Sequence, residues 1–106
     1  MATGRLGAVD LSATTNTTLY TCPAGTFAIA SVSICNRNAT SVTVRLALAS
    51  TATPGVSEYL EFGVTIPANS VLERTGLVVE AGKLLVVYSS TTSVNAVAYG
   101  IETSTT

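Results

Sequence analysis

Histidine and tryptophan are absent from this 106-residue chain, and only 10% of its residues carry charge. Without imidazole the chain lacks the commonest general base, the usual activator of a serine or cysteine nucleophile, and the commonest metal ligand. Serine and threonine are plentiful, but a Ser–Lys pair built on Lys83 has no motif behind it. Glu58 and Glu61 are the nearest approach to a carboxylate pair. Their offset of three residues sets them on opposite faces of a strand, so they read as solvated charge rather than shared acid–base machinery. No glycine-rich phosphate loop is present, and two cysteines without further ligands do not make a zinc site. The chain is therefore expected not to be an enzyme and to need no cofactor or metal.

Charge of either sign is also never concentrated. Five basic and six acidic residues are spread singly for a net charge of −1, which leaves no electrostatic footprint for nucleic acid or anionic lipid. No apolar run approaches the length of a membrane span, and the opening MATGRLGAV has no signal-peptide core. Synthesis in a cytoplasm is the expectation, and the sequons at Asn16 and Asn38 then carry little weight. Against this scarcity stands 47% hydrophobic residues, with the polar positions filled by Thr, Ser and Asn rather than Lys and Glu. Such a surface reads as one that expects to be covered, by copies of itself or by a partner.

What is present is strand after strand. Residues 17–38, TTLYTCPAGTFAIASVSICNRN, give a short strand, a Pro23–Gly25 turn that predicts a hairpin-like corner, and a long strand with Ala28, Ala30, Val32 and Ile34 on one parity. Asn36–Asn38 ends it, since Asn tolerates left-handed geometry. Residues 41–49, SVTVRLALA, alternate strictly, with Val42, Val44, Leu46 and Leu48 inward and Thr43, Arg45 and Ala47 outward. Residues 58–66 form another strand, with Gly63 marking a bulge, and residues 71–80 a strand broken near Thr75-Gly76. Residues 84–89, LLVVYS, suit a strand buried on both faces. Residues 94–102 close the fold with Asn95, Val97, Tyr99 and Ile101 on one side. Residues 4–11 are an edge strand or a partly free arm, and residues 1–5 and 103–106 are expected to be flexible or interface arms. About seven or eight short strands at roughly ten-residue spacing predict one domain, an all-β two-layer antiparallel sandwich of which the jelly roll is one form. A closed barrel is the alternative.

LYTCPAGTFAIASVSICNRN, followed by VTVRLAL, YLEF, IPANSVLERTGLVVEAGKLLVVYSS and VNAVAYGIE, resembles a group of small virion proteins of tailed bacteriophages, of cyanophage and marine-phage type. The similarity spans residues 6–102, and its most telling pieces are residues 20–25, 34–38, 81–88 and 99–102. The resemblance implies a structural role on the particle, in head or tail, and carries no catalytic residues. The expectation is a self-associating subunit, a trimer among the closed forms, that binds the major capsid protein as decoration or cement. A tail or baseplate component is the near alternative. A carbohydrate-binding or receptor-binding module is the alternative of a different class, weakened by the missing tryptophan.

The candidate interface residues are Arg37, Arg45 and Arg74, which on so uncharged a chain are free to pair with a carboxylate on a neighbouring copy, with Glu58 and Glu61 among the available partners. Tyr59 beside Phe62 is the best aromatic anchor. A hairpin at Pro23–Gly25 would set Phe27 beside Cys22 and leave Cys35 about eight residues further on, roughly 25 Å away. A disulfide spans about 7 Å at most between Cα atoms, so both cysteines are expected as buried free thiols.

Overall fold

The structure, a computed structural model, describes residues 3–105; of the expected arm residues, Met1, Ala2 and Thr106 lie outside the described residues. Eight strands follow in order: β1 (Thr3–Leu11), β2 (Thr17–Thr21), β3 (Thr26–Asn36), β4 (Val42–Ala49), β5 (Tyr59–Ile66), β6 (Val71–Val79), β7 (Leu84–Ser89) and β8 (Val94–Ser104). A single 3-10 turn at Val56–Glu58 leads into β5. Sheet I has the order β1-β8-β3-β6 and sheet II the order β2-β7-β4-β5. Every pairing between strands is antiparallel.

The pairings β1–β8, β2–β7, β3–β6 and β4–β5 are those of one long antiparallel ribbon whose closed end is the loop between β4 and β5. Successive ribbon segments fall alternately in sheet I and sheet II, and the β3–β8 and β4–β7 pairings complete the two sheets. That is the jelly-roll sandwich. One consequence corrects the expected corner at Pro23–Gly25. β2 and β3 belong to different sheets, so the turn carries the chain across the sandwich instead of closing a hairpin. Both cysteines are nonetheless free thiols: Cys22 is buried, its Sγ donating to the Thr26 carbonyl at 3.4 Å, whereas Cys35 is only half-buried on the outside of sheet I.

The core follows from the parity of each strand. At the centre of sheet I, β3 and β8 offer the small side chains Ala28, Ala30, Ala96 and Ala98, flanked by Val32, Ile34, Leu77, Val79 and Val94, while sheet II offers Val44, Leu46, Leu85 and Val87, all buried. Small against large keeps a thin sandwich at native packing density. Asn36 is fully buried at the end of β3, where its Nδ2 faces the carbonyls of Thr40 (2.9 Å), Ile66 (3.2 Å) and Pro67 (3.0 Å) and its Oδ1 accepts from the Asn38 amide (2.9 Å). It ties the β3–β4 connection to the β5–β6 turn. The left-handed backbone expected at Asn36–Asn38 is found instead at Asn69, in the partner turn.

Both terminal segments of the described chain are paired further than expected. Thr3, Gly4 and Arg5 lie opposite Ile101, Gly100 and Tyr99, and Thr103 and Ser104 lie opposite Phe27 and Thr26. The two open sides of the sandwich are shut differently. On one, β1 comes so close to β2 that a methyl group added at Gly7 would sit 2.2 Å from the Leu19 carbonyl oxygen. On the other, Arg74 of β6 pairs with Glu61 of β5. Arg74 lies opposite Val32 and Glu61 opposite Leu46, both buried, so the ion pair stands between the sheets at their exposed edge strands. Inward-pointing charge of this kind protects an edge from adding a foreign strand.

Candidate interaction surfaces

Sheet I turns an aliphatic face outward. The unbroken β3–β8 register sets Ile29 beside Ile101, and β6 sets Val78 on the other side of Ile29. The resulting row Ile101–Ile29–Val78 crosses three strands with exposures of 45%, 44% and 59%. Tyr99, one step along β8, donates its hydroxyl to Glu73 Oε2 at 3.1 Å. That hydrogen bond raises the Tyr99 hydroxyl above its ordinary pKa. Ser31, Ser33 and Cys35 continue the face along β3 without a charge. Arg37, beyond the end of β3, pairs with Asp10 of β1 at 2.6 Å beside a shallow hollow of about 420 Å³.

Sheet II presents a different surface. Arg45 on β4 has Phe62 of β5 opposite it on one side and Tyr88 of β7 on the other. Its guanidinium carbon lies 4.3 Å from each ring centroid, a double cation–π contact. Tyr59 meets Phe62 edge-on, with centroids 4.8 Å apart and planes at 79°. Strict alternation would put residues 59 and 62 on opposite faces. Register shifts in the β4–β5 pairing at Leu60 and Gly63 turn Tyr59 and Phe62 both outward and Glu61 inward. Only the Gly63 bulge was legible in the sequence.

Beneath Tyr59, the outward side chains Ala47, Ala49 and Val86 form a small second cluster, which is why LLVVYS is apolar on both parities. The loop at residues 50–58 folds over its end. Glu58, expected at the start of a strand, sits instead in the 3-10 turn, accepting from the amides of Gly55 (2.8 Å) and Ser50 (3.0 Å). Those two backbone donors hold its carboxyl below the ordinary carboxylate pKa. The same turn places Val56, 96% exposed, beside Tyr59 and Phe62, where the three line a hollow of about 260 Å³.

The structure thus gathers four of the expected interface residues, Arg45, Tyr59, Phe62 and Glu58, on or beside one face. Arg74 and Glu61 have each other, and Arg37 has Asp10, all within the chain. Sequence reasoning missed the row Ile101–Ile29–Val78, although the expected parity of the closing strand already put Tyr99 and Ile101 on a common side. It also gave no role to Tyr20. Tyr20 is buried, with its hydroxyl donating to Glu102 Oε2 at 2.5 Å, and burial together with that carboxylate pushes its pKa well above the ordinary value.

Among the described residues no group of three or more His, Cys, Asp or Glu side chains is placed to hold a metal ion, and no helix is long and apolar enough to cross a membrane. No family model matches the sequence, and no curated protein matches it. Among solved structures, a chain of the cyanophage Pam1 capsid asymmetric unit is similar to 92% of this chain over 83% of its own length, with 16% sequence identity and a TM-score of 0.39.

Proposed function

We propose that this protein is a structural subunit of a bacteriophage particle that works by binding: copies associate through the outer face of sheet I and seat on the capsid lattice as a decorating or cementing element. The observation that carries the reading is the exposed row Ile101–Ile29–Val78, three uncharged side chains side by side across three strands of sheet I. Such a row offers a contact to a like surface, and an oligomer would bury it. The resemblance of residues 6–102 to small phage virion proteins supports the particle as the setting. Many copies, each weakly held, would stabilise a shell through repetition.

The test is the solution mass by light scattering across a dilution series, followed by addition to purified heads and purified tails lacking the protein. A closed oligomer that Ile29→Glu converts to monomers, together with stoichiometric uptake on heads, is the expected result. Uptake on tails alone would move the protein to the tail. A strict monomer at every concentration that neither heads nor tails take up would overturn the proposal.

A further inference from the structure

We infer that the outer face of sheet II, centred on Arg45, docks an acidic segment of a partner protein, reading a carboxylate with the guanidinium edge and seating an adjacent apolar side chain in the Val56–Tyr59–Phe62 hollow. The inference rests on the reading of the protein as a binding component and adds the chemistry of its partner.

Charge complementarity points to the occupant. Phe62 and Tyr88 cover Arg45 from two sides, each ring centroid 4.3 Å from its guanidinium carbon. A guanidinium donates through the N–H groups in its own plane, and none of those of Arg45 has an acceptor among the described residues. Arg37 and Arg74, by contrast, are paired with Asp10 and Glu61. The two rings restrict the side chain before any partner arrives, so less rotamer entropy is lost on binding. An arginine flanked by aromatic rings next to an apolar hollow is the composition of an interface hot spot.

A second copy of this chain is a poor source of the carboxylate. Asp10, Glu58, Glu61, Glu73 and Glu102 all hold hydrogen-bond partners within the chain. Among the described residues only the Glu80 side chain has none, and it lies in the turn that joins β6 to β7. The shape also favours a segment laid across the face. β5 is an edge strand, but its two bulges interrupt the ladder that strand addition would need, so recognition falls to side chains.

The experiment is amide and arginine side-chain NMR on the full chain, titrated with the acetylated and amidated tripeptide Leu-Asp-Phe, with Leu-Asn-Phe, and separately with glucuronic acid. Leu-Asp-Phe is expected to shift the signals of Arg45, Phe62 and Tyr88. Leu-Asn-Phe should bind at least about tenfold more weakly, the worth of one charge-assisted hydrogen bond. Arg45→Lys, whose unchanged amide spectrum elsewhere would report an intact fold, should lose the Asp preference while keeping its charge. Equal binding of the two peptides, binding of glucuronic acid in place of Leu-Asp-Phe, or no shift at about 10 mM, tenfold above a millimolar Kd, would each overturn the inference. Failure of the virion reading is separately visible: a protein that shows the Asp preference yet is taken up by neither heads nor tails sinks that reading and leaves this one standing.

Discussion

The two outer faces of this sandwich are built by opposite means. On sheet I, β8 and β3 pair from Thr26 to Asn36 without a break and set Ile101 beside Ile29, and β6, past its one bulge at Thr75-Gly76, adds Val78 to the row. On sheet II, β5 is bulged twice, and only because of those bulges do Tyr59 and Phe62 share a face with Arg45. Regular pairing makes a smooth aliphatic surface suited to a like surface. Interrupted pairing re-aims single side chains and makes a local feature with a specific chemical preference.

The glycines give the sharpest way to break the comparison. Gly100, in the unbroken part of sheet I, has φ +155°, and a methyl group there would lie 2.0 Å from the Ile29 carbonyl oxygen. Gly63, in a sheet II bulge, has φ +70° and open space around it. Gly100→Ala is expected to cost about 3 kcal/mol or more, through both strain and clash, when measured by urea unfolding. Gly63→Ala should cost only about 1–2 kcal/mol, the strain of a left-handed alanine. Equal losses would mean that the close approach of the Ile29 carbonyl at Gly100 adds nothing to the backbone strain.

Next in size come the effects on assembly. Ile29→Glu should abolish self-association in light scattering while the monomer it leaves keeps a cooperative urea-unfolding transition, as a partly exposed site allows. Phe62→Ser, at a more exposed site on the other sheet, should leave the oligomer intact. The reverse pattern would exchange the roles assigned to the two faces.

The smallest expected effects come with pH, and they divide the faces by direction. Glu58 has a folded pKa below its unfolded value, so its contribution is present above about pH 4.3 and is lost as pH falls through the folded value. Acid should therefore loosen the 50–58 loop beside the Arg45 face first, seen as line broadening of the Ser50 and Gly55 amides. Tyr99 has its pKa raised by the hydrogen bond to Glu73, so its contribution is full below about pH 10 and is lost as pH rises through the folded value. Alkali should therefore disturb sheet I first. Simultaneous loss at either extreme would show that the two faces are not independent.

Most of the strands were legible because alternation, β-branched residues and turn residues all agreed, as in Val42–Ala49 and Leu84–Ser89. The break in β6 and the bulge at Gly63 announced themselves through glycine. Leu60 did not, since a leucine in a bulge looks like any other strand residue. Its register shift decided where Glu61, Tyr59 and Phe62 point. Arg74 and Glu61 read as charges available to a neighbour because the sequence holds no sign that β5 and β6 lie at the same open side of the sandwich.

The sequence by itself determined an all-β sandwich of short strands, a scarcely charged surface and the inward parity of its long strands, because these depend on local backbone preference and on the period of apolar residues along one segment. Only the tertiary structure decided that β2 and β3 part into different sheets, that Arg45 stands between Phe62 and Tyr88, and that Ile101, Ile29 and Val78 meet in a row. Each of these is a relation between strands far apart in the chain, set by which edges pair and in what register, and no local pattern encodes it.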